Sequence, residues 1–310
     1  MRFSARYAKL ISVVAMIVML TITPAFAQGG GGDARTMAIA ARKLSLQGQL
    51  AEAVALYQKA LDQDPKLFDA QYGIGLALDL EGKYAQARPH LKEAIALASP
   101  GAEELALEAM GVSHAFQSDA AGAAPYYERL FNDQQKAGNL AGAAATANAL
   151  GRVYLESGDP ARARTWYQRG YDTAMKQGDM PARERTLWRM RLDHAKGRIA
   201  ARAGDAAAAQ HYVASVATIA HAPGFADQLA DYEYLVGYVA LYTGHPAEAI
   251  PALKQANQKD AFVLSLLAQA YERTGSTAAA RQIWRQVLTL NSHDIQNAFA
   301  RPLARRALKP

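Results

Sequence analysis

Gly151-Arg152-Val153-Tyr154-Leu155-Glu156-Ser157-Gly158-Asp159-Pro160-Ala161-Arg162-Ala163-Arg164-Thr165-Trp166-Tyr167 reads as the end of one helix, a stop, and the start of another. An apolar-periodic pattern running in from about Ala144 reaches Glu156. Ser157-Gly158-Asp159-Pro160 then breaks it: glycine suits a left-handed C-terminal cap, aspartate caps the next helix, and proline fits that helix's first turn. The second helix is expected over Pro160 to Met175. Ordinary side chains hold helix axes roughly 8–10 Å apart, so Gly151 and Ala163 mark a close crossing. Tyr167, one turn past Ala163 on the same face, is placed to plug the gap towards the next hairpin.

The same spacing recurs outward in both directions. A small residue stands at Ala41, Gly75, Gly111, Gly151, Gly197, Gly237 and Ala268. Seven positions later comes a turn residue: Gly48, Gly82, Ser118, Gly158, Gly204, Gly244 or Gly275. Five further on is an alanine (Ala53, Ala87, Ala123, Ala163, Ala209, Ala249, Ala280), and four beyond that a large residue (Tyr57, Leu91, Tyr127, Tyr167, Val213, Leu253, Trp284). A period in this range marks stacked supersecondary units, whose extended surfaces serve binding more readily than catalysis.

On these residues the chain resembles the tetratricopeptide repeat family. Ala40-Ala41, Leu44, Gly48, Ala53, Tyr57, Ala60 and Pro65 fit the family's order, as do Leu264, Leu267-Ala268, Tyr271, Gly275, Ala280 and Trp284 in the last unit. The resemblance covers about residues 34–292 and implies an all-α solenoid, a right-handed superhelix of about seven helical hairpins, with a C-terminal capping helix and basic tail over 293–310. Successive small residues lie 34, 36, 40, 46, 40 and 31 positions apart against a family norm of about 34, so the middle hairpins are stretched. The unit at Gly197 fits worst, with Asp193 and Lys196 where apolar residues are expected.

Residues 1–27 read as an export signal. Arg2, Arg6 and Lys9 precede the apolar run Leu10 to Ile22, and Pro24-Ala25-Phe26-Ala27 supplies a cleavage site after Ala27. The alternative is an uncleaved membrane anchor. Gln28-Gly29-Gly30-Gly31-Gly32 opens a flexible lead over residues 28–33. The expected location is therefore the periplasm or cell envelope. The chain has no cysteine, which removes disulfides, thiolate metal sites and thiol catalysis.

The formal net charge of +6 is unevenly spread. Residues 28–151 carry 10 basic and 14 acidic side chains, residues 152–202 carry 12 and 6, and residues 203–310 carry 9 and 8. The high pI thus comes from a central basic belt, able to steer an acidic partner. For an exported protein nucleic acid is not the expected partner. No phosphate loop, His-Glu-x-x-His pair or Gly-x-Ser-x-Gly elbow occurs, so no enzyme activity, cofactor or metal is expected.

In the resembled family the first helix of each hairpin lines a concave groove. Those positions give Asn148, Arg152 and Glu156 in one unit, Arg191, His194, Arg198 and Arg202 in the next, then Tyr234, Tyr238 and Tyr242. The binding reading is an arginine ridge beside a tyrosine ridge that holds an acidic or carboxylate-bearing segment of another protein. The competing reading makes the arginines a solvated face and at least one tyrosine packing between hairpins. The family's clamp for C-terminal carboxylates uses a lysine and asparagine pattern that Asn148 and Arg152 do not reproduce. Arg301, Arg305, Arg306 and Lys309 form a basic tail, read as a solvating cap or as a contact for anionic membrane. The expected function is a non-catalytic scaffold or adaptor. The alternatives are an assembly factor of an envelope or secretion complex, working through its convex face or tail, and an accessory subunit of an enzyme.

Overall fold

A computed structural model describes residues 31–309, so the expected export signal and the first residues of the expected glycine lead lie outside the described residues. The chain folds as α1 (Gly31–Leu46), α2 (Leu50–Gln63), α3 (Phe68–Glu81), α4 (Tyr84–Leu97), α5 (Pro100–Ala115), α6 (Ala120–Lys136), α7 (Leu140–Glu156) and α8 (Pro160–Met175). It continues through α9 (Ala182–Arg202), α10 (Ala206–Ala220), α11 (Leu229–Tyr242), α12 (Pro246–Gln255), α13 (Ala261–Arg273), α14 (Thr277–Thr289) and α15 (Ile295–Ala307). No strand occurs among the described residues. Consecutive helices pack as seven hairpins, with α15 lying on α13 and α14. Helix α1 starts at Gly31, inside the glycine run. Among the described residues no helix is long and apolar enough to cross a membrane.

Each recurring residue has its physical job. The seven turn residues all take positive φ, from 55° at Ser118 to 94° at Gly158. That conformation ends the first helix and turns the chain back. Asp119, Asn139, Asp159 and Asp205 then cap the following helices, each side chain accepting a backbone N–H three residues on at 2.8–2.9 Å. The recurring alanines are at most 1% exposed. A Cβ at Gly111 would lie 2.5 Å from the Tyr127 ring, and one at Gly151 would lie 3.0 Å from that of Tyr167. Tyr167 therefore plugs the crossing of its own hairpin and reaches Arg198 of the next through its hydroxyl, and Tyr57 likewise reaches forward to Gly73. The poorly matching unit is the exception: Val213 is only partly buried, and Gly197 meets Tyr212 and Leu235 instead.

The array curves tightly enough for its end to meet its beginning. Helix α15 packs against α5 and α7 as well as α13 and α14. Arg301 Nε donates to the Leu80 carbonyl at 2.8 Å, while its Nη1 donates to the carbonyls of Leu288 and Leu290 at 3.1 and 3.0 Å. Arg305 donates to the carbonyls of Leu80 and Glu81. These are the free carbonyls at the C-terminus of α3, where a cation also meets the negative end of the helix dipole. His293 Nε2 bonds Asp79 Oδ2 at 2.9 Å, in a pair with side chains 4% and 0% exposed. Ser113 donates to the other Asp79 oxygen at 3.0 Å, and Phe116 lies against the His293 ring.

Candidate functional site

The concave side holds a buried polar network built on α7, α9 and α11. Glu156 ends α7, its carboxylate side chain 3% exposed. It accepts from Arg202 Nη1 at 3.3 Å and from the Tyr238 hydroxyl at 3.2 Å, and Arg198 Nη1 stands 3.8 Å away. Arg198 also donates to the hydroxyls of Tyr167 at 2.9 Å and Tyr234 at 3.4 Å. Arg202 donates to the Tyr242 hydroxyl at 3.2 Å and lies over its ring. Such a network is stable only because each charge has a partner, since an unpaired buried charge carries a large desolvation cost.

The arginine and tyrosine stripes are therefore not two free ridges along an open groove. Tyr238 is fully buried, packed against Tyr234, Tyr242 and Phe262. Arg198 is 6% exposed, and Arg202 is tied to Glu156. The reason is curvature. Contacts span the concave side from α7 to α11 through Glu156 and Tyr238, and from α7 to α13 through Arg152, whose guanidinium lies 4.7 Å from the Phe262 ring centre. Helix α15 fills the space beside α5 and α7. Tyr238 packs between hairpins, as the competing reading has it for at least one tyrosine, while Tyr242 stays half-buried and Tyr234 borders a cleft.

A cleft of about 290 Å³ lies on this side. Asn148, Arg152, Arg191, His194, Arg198 and Tyr234 line it, six of the nine residues singled out in the sequence, together with Tyr167, Asp231, Met190 and Ile295. Arg202, Tyr238 and Tyr242 lie behind it in the Glu156 network. His194 Nε2 is 3.1 Å from the Asp231 carbonyl, and burial, followed by the charge of Arg198, holds the imidazole well below its usual pKa. It is neutral at physiological pH, donating through Nε2. Burial raises the Asp231 carboxyl, partly offset by Arg191. Arg152 Nε and Nη2 and Arg198 Nε have no hydrogen-bond partner among the described residues. Each such orphan costs about 1–3 kcal/mol. Sequence reasoning missed Tyr167, Met190 and Ile295; the first was recognised only as a packing residue, and no local signal brings α15 here.

The rest of the basic belt faces outward. Arg164 and Lys176 on or just after α8, and Arg185 and Arg189 on α9, are exposed, and none forms an ion pair among the described residues. The basic tail is largely withdrawn from solvent. Burial, then Arg305, pulls Arg301 down to about 10, and Arg305 is engaged on α3. Only Arg306 and Lys309 stay exposed, fewer than the 4–8 clustered cations typical of anionic-lipid binding.

Repeat models match three stretches: a TPR repeat model over residues 43–79, and tetratricopeptide repeat models over 103–176 and 234–295. A search of curated proteins finds no match. Among solved structures, a tetratricopeptide repeat protein from Parabacteroides merdae ATCC 43184 is 10% identical, with 88% of this chain and 99% of that one covered at a TM-score of 0.51. A chain of the APC/C hetero-tetramer Cut9-Hcn1 is 17% identical at a TM-score of 0.47; 83% of this chain is covered, but this chain spans only 43% of that one. Pseudomonas aeruginosa pilF is 16% identical at a TM-score of 0.46, with 74% and 92% covered. At these identities the likeness concerns the fold alone.

Proposed function

We propose, from the premise that this chain is a tetratricopeptide repeat protein with multiple repeat motifs, that it is a non-catalytic scaffold that holds a partner protein in the cell envelope. The observation that carries the reading is the set of exposed cations Arg164 on α8, Lys176 just after it, and Arg185 and Arg189 on α9, none in an ion pair among the described residues. Arg185 and Arg189 stand one turn apart on α9, so they share a face. The first part of the chain, residues 28–151, is net acidic, so this surface is a local positive field on an otherwise mixed molecule. It suits an acidic surface or segment of a partner. The envelope location rests on the reading of residues 1–27 as an export signal.

The test is crosslinking in the native host followed by mass spectrometry, comparing wild type with Arg164→Glu/Arg185→Glu/Arg189→Glu. These side chains make no internal ion pair, so the variant is expected to fold. Recovery of crosslinked partner should fall and its loss with added salt should flatten. Undiminished recovery from a folded variant would sink this reading.

A further inference from the structure

We propose that the cleft between α7, α9 and α11 is a binding site for one small organic carboxylate, held by its charged end between Arg152 and Arg198. Three arginines border the cleft, Arg152, Arg191 and Arg198, and one acid, Asp231. Glu156 does not redress the balance at the cleft, because it is engaged by Arg202 and Tyr238 as well as Arg198. The cleft therefore carries excess positive charge in a place that water screens poorly.

The donors without partners, each itself closed to solvent, belong to two of the arginines that line the cleft. Arg198 is more than nine-tenths buried, and its Nη atoms are satisfied by Tyr167 and Tyr234 while its Nε is not. Arg152 is held over Phe262 by a cation–π contact and makes no hydrogen bond through Nε or Nη2 among the described residues. An Nε and an adjacent Nη form the fork that receives a carboxylate edge-on. Both guanidinium groups already rest against aromatic rings, so less ordering entropy remains to be lost on binding. Arg191, exposed and stacked 4.9 Å over Trp188, stands where it can draw the anion in.

The remaining walls set the ligand class. Ala149, Met190 and Ile295 give the cleft an apolar side, which an inorganic anion would leave uncovered. A volume of about 290 Å³ is at the small end of ligand pockets. Helix α15 lies against α5 and α7, and its first residue, Ile295, reaches the cleft. An extended peptide running along α7 towards α5 would meet that helix, so the observations favour a free solute over a partner's chain terminus. This site is separate from the outward cationic surface of α8 and α9.

The experiment is a thermal-shift and calorimetric titration of the purified protein at constant ionic strength. The probes are benzoate, succinate, inorganic phosphate, and benzamide as the uncharged counterpart of benzoate. Saturable binding of benzoate or succinate with a rise in Tm is expected, and none of benzamide. Arg152→Met, which keeps the stacking bulk, should weaken binding roughly tenfold or more, the value of one charge-assisted pair. Arg191→Gln, at the exposed mouth and safe for folding, should weaken it several-fold. The proposal is overturned if neither carboxylate binds, if benzamide binds equally, if phosphate alone binds, or if the folded Arg191→Gln and Arg152→Met proteins bind as wild type does. Displacement of the bound carboxylate by an acetylated hexaglutamate peptide would also overturn it, because a chain segment would then have access.

Discussion

The basic belt of residues 152–202 splits into two populations that the sequence lists side by side. Arg198 and Arg202 lie inside, each with a carboxylate and phenols around it. Arg185 and Arg189, earlier on the same helix, lie outside with no ion pair among the described residues. Arg189 and Arg198 are nine positions apart, about two and a half helical turns, which points them to opposite sides of α9. One helix therefore carries a structural charge network on one face and a free electrostatic surface on the other. Composition and net charge add the two together, although they do different work.

The sharpest way to break this comparison is Glu156→Gln. It removes the one carboxylate that pairs with Arg198 and Arg202 among the described residues, and stability measured by denaturant unfolding should fall by about 3–5 kcal/mol. The outward Arg185→Ala should stay within about 0.5 kcal/mol. Similar costs for the two would erase the distinction. Next in size is Arg301→Met, which removes the donors to Leu80, Leu288 and Leu290 at the joint between the two ends of the array. A loss of about 1.5–3 kcal/mol is expected, the range for hydrogen bonds from a charged group.

The smallest effect is a pH dependence. His194 binds its proton less readily folded than unfolded, because burial and the charge of Arg198 oppose it. Below about pH 6.5 the unfolded chain holds the extra proton, so stability falls on acidification, by up to about 1.4 kcal/mol per pH unit. Asp231 and Glu108, whose carboxyls burial raises, act in the opposite sense at lower pH. Unfolding of wild type and His194→Gln between pH 7 and 5.5 should show the slope in the first and a flatter profile in the second. Parallel profiles would mean that His194 is not shielded as its surroundings imply.

Much of the hairpin architecture was legible in the sequence because it is local. The turn glycines, capping aspartates and buried alanines act within one unit, and Pro160–Met175 is the helix that its start and stop signals describe. The start of α7 at Leu140, earlier than the apolar pattern shows, follows from the Asn139 cap. The spacing of Arg198 with Arg202, and of the three tyrosines, correctly placed each set on one face. What that face meets was not legible. Curvature sums small rotations over many repeats, and no local pattern reports that residue 238 will stand against residue 156 or residue 301 against residue 80. Arg301 and Arg305 looked like a solvating tail because their partners are backbone carbonyls, which leave no mark in sequence.

An open stack of repeats frays, since a terminal unit has one neighbour to lose while an inner unit has two. With Arg301, Arg305 and His293 seated on α3, the run from α3 to α15 has no terminal unit in that sense. Detaching any one hairpin strains the whole circuit or breaks the joint. Such a circuit should exchange its backbone amides, and unfold, as a single cooperative body rather than from its ends inward.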